Sequence, residues 1–379
     1  MIARIDRWFW SPAPPFALGV TRIVLGVAAI LATLELAESV LHVVDGQHLQ
    51  IPTLEGLAWL RSLALPAIGV WLVAAALFAI GMWTTLAGAA LVAAGMLLVL
   101  ADQQLYSNHL ALLTVLVALV TVAGGGAAVS VDARRREAPP TVATGLVWLI
   151  KVQITAVYAF SALSKLNPSF LSGSVVASYL RSDGLLALPA PWRSFEPMFA
   201  ISILVIVIEA FIAVALWSPR WRRNAFVVGL LLHVGIVATF EAPALALTVF
   251  GMASLAPYVL FLDARPGSVL VVWDRSCDFC AGWITAARRL DWLRVLAYAG
   301  TDDEAVLATH GITRQAADEA LHAVAPDGTA AGFDAVRRVA ETLPLTFLIA
   351  PLLALPPVRW VGVRAYRRVA LNRKCSIGR

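Results

Sequence analysis

The chain has 379 residues, of which 60% are hydrophobic and only 14% charged, and its mean hydropathy is +0.80. Soluble domains carry about 25% charged residues, so this composition indicates a membrane protein. The net charge of +5 comes mostly from arginines in loops and near the C-terminal end, a distribution typical of membrane topology. No nucleic-acid recognition motif accompanies it, and no nucleic-acid partner is expected. The length allows about two domains.

Apolar runs long enough to cross a bilayer, roughly 20 residues each, dominate the first two thirds of the chain. The N-terminal MIARIDRWFWSPAPP is too aromatic and proline-rich for a secretory signal, so the first run is expected to remain as a helix. The second and third runs abut at GMWTTLAG, and the seventh is short. The pattern predicts about eight spans, near 16–38, 64–82, 83–101, 107–127, 142–166, 197–217, 223–240 and 242–262.

The arginine distribution predicts that the N-terminus is cytoplasmic. This orientation places eight arginines inside, namely Arg4, Arg7, Arg134, Arg135, Arg136, Arg220, Arg222 and Arg223. It places three outside, namely Arg61, Arg181 and Arg193. An even number of spans also puts the C-terminal domain in the cytoplasm, and a miscount by one span would move it to the other side. We expect a multi-pass protein, of the cytoplasmic membrane if it is bacterial.

Ionisable residues inside spans are costly and therefore mark candidate functional positions. In the predicted topology, groups from four spans gather at the outer leaflet: Glu35, Glu38, His42, Asn108, His109, Lys165 and Glu241. Glu209 and His233 lie deeper, and Arg22 lies toward the inner end of the first span. A polar stripe with helical spacing also follows the fifth span, formed by Lys151, Thr155, Tyr158 and Lys165.

Lys165 ends the apolar segment YAFSALSKLNPSFLSG and admits two interpretations. It could extend its ammonium to the outer interface. By the same structural interpretation, His109 would be a histidine that makes its hydrogen bonds within the bundle and has no catalytic role. Alternatively, packing among apolar residues disfavours the ammonium and leaves a neutral amine available as a base. His109 or a nearby carboxylate would then stabilise the developing charge or relay the proton.

Several segments of the first 263 residues resemble known membrane families. YAFSALSKLNPSFLSG is similar to the Lys-Leu segment of vitamin K-dependent γ-carboxylases, and SNHLALL to their Asn-His segment. RWFWSPAPPFALGVTRIVLG and LLHVGIVATF followed by FGMASLAPYVLF resemble the wider horizontally transferred transmembrane (HTTM) family. The resemblance implies that Lys165 is a base acting on a vitamin K-like hydroquinone and that His109 stabilises the resulting anion. Because the chain lacks the large lumenal region of the carboxylases, it does not imply glutamate carboxylation.

The composition changes after DARPGS at 263–268. Short β-branched runs, VLVVW and LRVLAY, alternate with helix-like segments, and ALHAVAPDGTAAG predicts a hairpin around Asp327 and Gly328. This pattern predicts a small α/β domain. The stretch LPLTFLIAPLLALPP at 343–357 is too short and proline-broken for a span, and it predicts a helix lying in the membrane interface.

A Cys-x-x-Cys pair, Cys277 and Cys280, lies between the first strand and helix of this domain. A helix N-terminus stabilises a thiolate, so Cys277, expected to be the more exposed thiol, would be the nucleophile and Cys280 the resolving thiol. A zinc site would need two more ligands, for which Cys375, His310 and His322 are scattered; no metal is predicted. Two inert buried cysteines remain an alternative.

The segment from Trp273 to Cys280 resembles the signature of the DCC family of predicted thiol–disulfide oxidoreductases. That signature is an aromatic residue followed by Asp-Gly-x-Cys-x-Phe-Cys. Asp274 matches its aspartate, whereas Arg275 replaces its glycine. APDGTAAGFDAVRRV and AYRRVALNRK also fit the family, so the resemblance covers most of 268–379. It implies a thioredoxin-like fold, a redox-active cysteine pair and a thiol protein as partner, with the Arg275 cation favouring the thiolate.

The sequence thus predicts a mainly α-helical membrane bundle, residues 1–263, followed by a thioredoxin-like α/β domain, residues 268–379. The leading hypothesis is a membrane redox enzyme that uses Lys165 and His109 on a quinol and Cys277 and Cys280 on thiols, with Asn108, Glu35, Glu38, Tyr158, His233, Asp274 and Arg275 in support. The alternative is a non-catalytic scaffold or transporter whose buried charges line a path. Since the predicted topology puts the two sites on opposite sides, their coupling stays open, as do the substrate and the oligomeric state.

Overall fold

The computed structural model describes residues 2–45, 50–135, 141–179, 195–240, 244–262 and 267–372. The chain forms two compact units, Met1–Leu262 and Asp263–Arg379. Each has its own hydrophobic core. The predicted site residue Glu241 and the third cysteine, Cys375, lie outside the described residues.

The first unit is built almost entirely of helices. In chain order they are α1 (Ile2–Phe9), α2 (Phe16–Val44), α3 (Ala64–Ile80), α4 (Thr84–Ala101), α5 (Asn108–Val122), α6 (Val131–Arg134), α7 (Thr144–Ser164), α8 (Pro168–Leu171), α9 (Ser174–Tyr179), α10 (Phe195–Ala215), α11 (Arg222–Thr239) and α12 (Ala244–Leu255). Among the described residues of this unit, three 3-10 segments accompany them, Glu55–Leu63, Gln103–Leu105 and Ala256–Leu262. A minimal antiparallel ladder pairs β1 (Pro12–Ala13) with β2 (Val142–Ala143).

Within the described part of the chain, seven helical segments are long and apolar enough to cross a membrane. They are Phe16–Val44, Glu55–Ile80, Thr84–Ala101, Thr144–Ser164, Met198–Ala215, Arg222–Thr239 and Leu245–Leu262. The remaining predicted span is α5, whose 15 residues rise only about 22 Å, less than the roughly 30 Å of a hydrocarbon core. The predicted helical membrane bundle is confirmed.

The two abutting apolar runs near residue 81 are separate helices, as predicted. Gly81 ends α3 in the left-handed conformation, with φ of +71°, and donates its N–H to the carbonyls of Leu77 and Phe78. The side chain of Asp132, from α6, caps the N-terminus of α4: its carboxylate accepts from the N–H groups of Trp83 and Thr84 at 2.9 and 2.8 Å. A left-handed residue followed by a capped N-terminus reverses the chain sharply.

The bundle packs around α2, which contacts α3, α5 and α12. Arg22 of α2 is fully buried and donates to four backbone carbonyls, those of Phe78, Ala79, Gly125 and Val129. These carbonyls lie at the end of α3 and in the turn after α5, where the helical pattern of hydrogen bonds ends and carbonyls can accept from a side chain. The arginine predicted at the inner end of the first span therefore joins three parts of the bundle.

The second unit is a four-stranded mixed sheet covered by helices. Its elements are β3 (Val269–Trp273), α13 (Asp278–Leu290), β4 (Leu296–Gly300), α14 (Glu304–Thr309), α15 (Arg314–Glu319), β5 (His322–Ala325), β6 (Gly328–Ala331), α16 (Phe333–Thr342), α17 (Ala350–Ala354) and α18 (Pro356–Asn372). The strand order is β4-β3-β5-β6, with β3 parallel to β4 and the other pairs antiparallel. A β-α-β unit followed by a hairpin, with the Cys-x-x-Cys after the first central strand, has the topology of thioredoxin-like folds.

Helices cover both faces of this sheet. Ile284 of α13 and Ala335 of α16 pack on one face with Val271, and Leu307 of α14 packs on the other with Val272. The predicted hairpin is confirmed, since Ala325 pairs with Gly328 across the β5–β6 turn.

The apolar stretch at 343–357 is not one continuous helix, so the expectation of a single helix is wrong, whereas its contact with the membrane interface stays a prediction. Turns occupy 344–349, α17 follows, and the helix breaks at Leu355 before α18 begins at Pro356. Pro356 forces this break, because proline disfavours helical backbone in the residue before it.

Candidate functional site

The thiol site is built at the junction of β3 and α13. Asp274 follows the strand, and its Oδ1 accepts from the N–H and hydroxyl of Ser276 at 2.9 and 2.6 Å. The N–H of Cys277 then donates to the carbonyl of Asp274 at 3.3 Å. This turn makes Cys277 the N-cap of α13, with its carbonyl accepting from Ala281 at 3.0 Å. Cys280 is the third residue of the helix.

Both residues are thiols in the structure, but their exposure differs from the expectation. Cys277 is 1% exposed, whereas Cys280 is partly exposed. The predicted order of exposure is therefore wrong. The assignment of Cys277 as nucleophile stays a prediction, supported by its place at the positive end of the helix dipole.

Arg275, which stands where the DCC signature has glycine, fits the turn without strain. Of the non-glycine residues described, only Trp83, Val129 and Arg294 have positive φ, so position 275 does not require glycine. The Arg275 guanidinium lies 3.4 Å from the carboxylate of Asp302, and both side chains are more than half exposed. Its charge is thus shared with Asp302 and screened by solvent.

Exposed aromatic side chains lie beside the thiols. Phe279, between the two cysteines, is 50% exposed, and Trp283, one turn further along α13, is 57% exposed. Residues four apart share one side of a helix. An apolar surface therefore adjoins Cys280.

The second candidate site surrounds Lys165, the C-cap of α7. Pro168 prevents α7 from continuing. Asn167 donates its side-chain amide to the carbonyl of Ser164 at 2.8 Å, and its Oδ1 accepts from the N–H of Phe170, which caps the N-terminus of α8. The Lys165 ammonium, turned back along α7, bonds the hydroxyl of Ser161 at 2.5 Å.

The partner of Lys165 is Glu209 of α10. The Lys165 Nζ lies 2.9 Å from each carboxylate oxygen of Glu209, and Ser161 donates to the same carboxylate at 2.9 Å. The side chains of the lysine and the glutamate are 22% and 9% exposed. Lys165 therefore makes specific contacts inside the bundle, which an ammonium extended to the interface would not require.

The ion pair lies well within the apolar span of α10. Glu209 follows Met198 by 11 residues and precedes Ala215 by six, or about 16 and 9 Å of helical rise. Glu209 is also the only charged residue between 198 and 217, which is the sequence signal that marks it. Ser161 carried no comparable signal beyond its position four residues before Lys165.

His109 belongs to a different pair of helices. Its Nε2 lies 2.9 Å from the Glu35 carboxylate and 3.3 Å from the hydroxyl of Ser107, which caps α5. The side chains of His109 and Glu35 are 13% and 24% exposed. This pair joins α5 to α2, whereas Lys165 and Glu209 join α7 to α10. Among the described residues, no hydrogen bond links Lys165 to His109 or Glu35.

The other predicted residues divide into buried and exposed ones. The Tyr158 hydroxyl and His233 Nε2 are 2.8 Å apart, joining α7 to α11, and both side chains are buried. Asn108 is exposed and accepts from the Tyr106 hydroxyl at 3.1 Å. Glu38 is exposed. Tyr158 and Lys165 are seven residues apart and share a side of α7. The contacts of Tyr158 with His233 and of Lys165 with Glu209 therefore lie along the same side of that helix.

Lys151, at the other end of the polar stripe of α7, is buried. Its Nζ lies 5.3 Å from the centroid of the Phe261 ring, within range of a cation–π interaction. Thr155, one turn on, accepts from the indole N–H of Trp217 at 2.8 Å. The predicted stripe of Lys151, Thr155, Tyr158 and Lys165 therefore faces neighbouring helices along its length.

A bundle of membrane-spanning helices followed by a thioredoxin-like domain with a Cys-x-x-Cys pair defines an integral, multi-pass membrane protein with a thiol-redox module. A family model described as HTTM domain matches residues 10–265, and one described as DCC1-like thiol-disulfide oxidoreductase matches residues 271–379. The chain belongs to the HTTM domain family, and its second unit is a DCC1-like domain, as the resemblances implied. Neither the search of curated proteins nor that of solved structures gave a match.

Proposed function

We propose that this protein is a membrane redox enzyme in which Cys277 and Cys280 exchange disulfides with a partner while Lys165 and Glu209 exchange a proton with a lipid-soluble, quinol-type substrate. The observation that carries the thiol half is the place of Cys277 at the N-terminus of α13, directly after a central strand of a thioredoxin-like sheet.

The thiol chemistry proceeds in two exchanges. A thiolate of the pair attacks the disulfide of a partner, forming a mixed disulfide and releasing one partner thiolate, which takes a proton. The second cysteine then attacks the mixed disulfide, so that Cys277 and Cys280 become joined and the second partner thiol leaves. Two electrons and two protons pass to the partner. The reverse sequence oxidises a partner dithiol.

Two features of the site favour different nucleophiles. The helix N-terminus favours a thiolate at Cys277, whereas exposure favours access to Cys280. Because Cys277 is 1% exposed, attack by its thiolate requires local opening of the structure around it. Phe279 and Trp283 offer apolar contact to a partner beside either thiol.

Trapping of mixed disulfides tests the thiol half and identifies the nucleophile. Cys277→Ser and Cys280→Ser are each made in a Cys375→Ser background and treated with a fluorescent small-molecule disulfide in detergent micelles. We expect the Cys280→Ser variant to retain the label on Cys277. If the Cys277→Ser variant alone retains the label, on Cys280, the order of attack is reversed. If neither variant reacts faster than an unfolded peptide thiol, the redox role is refuted.

The membrane half of the proposal rests on the ion pair at Lys165. For the lysine to accept a proton from a quinol hydroxyl, its own proton must first move to Glu209, whose two oxygens lie 2.9 Å away. The pair, rather than the lysine alone, would then exchange the proton, with Ser161 holding the carboxylate in place. The low dielectric of the span strengthens these interactions relative to water.

Quinol-dependent turnover tests this half. Purified protein is assayed for a copurifying quinone and for oxygen uptake on addition of a hydroquinone. We expect Lys165→Ala and Glu209→Gln to abolish the uptake, while Glu55→Gln, at an exposed glutamate outside the predicted site, leaves it unchanged. Full activity of the Lys165→Ala variant would remove the lysine from the mechanism. Solute flux in proteoliposomes without quinol turnover would favour the transporter alternative.

A further inference from the structure

The C-terminal helix α18 is held against its own domain by one side. The Arg359 guanidinium binds the carboxylate of Asp334 in α16 at 3.1 and 2.7 Å. The Tyr366 hydroxyl accepts from the N–H of Leu321 at 2.9 Å. Residues 359 and 366 are seven apart and share one side of the helix. These two contacts determine which side of α18 faces away from the sheet.

The opposite side of α18 combines arginines with exposed apolar residues. We call it the outward face; it consists of Trp360, Val361, Arg364, Arg367 and Arg368. Trp360 and Val361 are 58% and 56% exposed. The Arg364 guanidinium stacks 3.3 Å from the centroid of the Trp360 ring. The face is therefore both cationic and apolar.

The chain just before α18 exposes further apolar side chains. Leu345, Ile349, Leu352 and Leu355 are 53%, 55%, 56% and 47% exposed. Single exposed apolar residues are ordinary on protein surfaces. A run of them that precedes the exposed apolar residues of the outward face marks an interaction surface. This surface lies in the stretch whose composition predicted contact with the membrane interface.

We propose that the outward face of α18 docks on the anionic surface of a lipid bilayer. Between Pro356 and Asn372 the chain has four arginines and no acidic residue. One of them, Arg359, is paired with Asp334, and the other three lie on the outward face. Arginines alternating with tryptophan and aliphatic residues are typical of helices that lie in the interface of anionic membranes.

A bilayer fits this face better than a soluble acidic partner. Docking on lipid headgroups satisfies the arginines and buries Trp360, Val361 and the leucines of the preceding segment in one event. The chain also carries its own membrane spans, so a bilayer is always present at high effective concentration. The electrostatic attraction of the three arginines to an anionic surface together shifts the equilibrium between undocked and docked α18 roughly a hundredfold toward the docked state.

Hydrogen exchange of the full-length protein in nanodiscs tests the proposal. One set of nanodiscs contains phosphatidylcholine alone, and the other contains phosphatidylglycerol as well. We expect amides of α18 to exchange at least tenfold more slowly in the anionic nanodiscs. Peptides from α15, which lies elsewhere in the same domain, report whether the fold itself has changed, and they should exchange equally in both.

Substitution of the arginines separates lipid contact from protein contact. The Arg364→Gln/Arg367→Gln/Arg368→Gln variant should lose the difference between the two lipids, whereas Arg275→Gln/Arg314→Gln, at two other exposed arginines, should keep it. Equal exchange of wild-type α18 in both lipids would overturn the proposal. Slow exchange in both lipids that the triple variant leaves unchanged would also overturn it, because a protein surface would then cover the helix.

Discussion

Breaking the Lys165–Glu209 pair leaves a carboxylate inside an apolar helix. In a Lys165→Ala variant the Glu209 side chain, 9% exposed, keeps the Ser161 hydroxyl as donor but loses both bonds from the ammonium. A charged side chain in the middle of a membrane helix costs about 3 kcal/mol, and removing one partner of a buried pair costs about 3–5 kcal/mol. Since the lysine is partly exposed, we expect the lower end, a loss of about 3 kcal/mol in the free energy of unfolding.

Removing both charges should cost much less than removing one. In Lys165→Met/Glu209→Leu no unpaired charge remains, and apolar side chains of similar size fill the space. Replacing a whole buried pair in this way is often neutral, so we expect the double variant within about 1 kcal/mol of wild type. The coupling energy of the double-mutant cycle should then be at least about 2 kcal/mol.

Unfolding by SDS in mixed micelles, followed by far-UV circular dichroism, measures Lys165→Ala and the three variants that close the cycle, Lys165→Met, Glu209→Leu and Lys165→Met/Glu209→Leu. Glu38→Gln serves as the control; because this glutamate is exposed, its replacement should change stability by less than about 0.5 kcal/mol. If the costs of the two single substitutions simply add in the double variant, the residues do not interact and the argument fails. The same preparations separate structure from chemistry, since a stable double variant that lacks quinol-dependent uptake assigns the pair a role in turnover.

Three further predictions concern other parts of the chain. Arg22→Leu removes the guanidinium donor from four carbonyls of the bundle, of which, within the described part of the chain, only that of Phe78 keeps a backbone donor, and it should destabilise the bundle by about 3 kcal/mol in the same SDS titration; a loss below 1 kcal/mol would contradict the role of this residue. Gly81→Ala should cost at least about 1–3 kcal/mol, because φ is +71° and the added Cβ would also collide with Ser130 and Arg22, whereas Gly69→Ala, within α3 and with open space around it, should stabilise by up to about 1 kcal/mol; equal effects would refute this argument. The Arg359 guanidinium lowers the pKa of Asp334 below its ordinary 3.8, so the pair stabilises the second domain above pH 3.8 and this stabilisation is lost as the pH falls through the lowered value. Thermal unfolding across acidic pH should therefore show a smaller pH dependence for Arg359→Gln, and an unchanged profile would exclude the pair as its source.

Much of the architecture could be predicted because its signals are local. A spanning helix needs about 20 consecutive apolar residues, so the runs at 16–38 or 197–217 are visible without knowing their neighbours. In the second domain the alternation of VLVVW with AGWITAARRL, and the Asp327–Gly328 turn, predicted the strands, the helix and the hairpin. The prediction of one helix at 343–357 failed because turns occupy 344–349 and Pro356 separates α17 from α18.

The candidate sites depend on contacts between distant parts of the chain. Helical periodicity placed Tyr158 and Lys165 on one side of α7, but it could not show which helix that side meets. The structure pairs Lys165 with Glu209, 44 residues away, and Tyr158 with His233, 75 residues away. Likewise, the Cys-x-x-Cys spacing marked the thiol site, whereas only the structure shows that Cys277 is the buried member of the pair.

The sequence by itself predicted that this protein crosses a membrane many times and, through its resemblance to the DCC family, that it carries a thiol-redox domain, because the length and hydrophobicity of each segment and the motif around the two cysteines are properties of neighbouring residues. Only the tertiary structure decided which charges neutralise each other inside the bundle and which thiol is accessible. Those outcomes depend on the packing of whole helices and strands, where burial of apolar surface selects the neighbours and a buried charge must then find its partner among them.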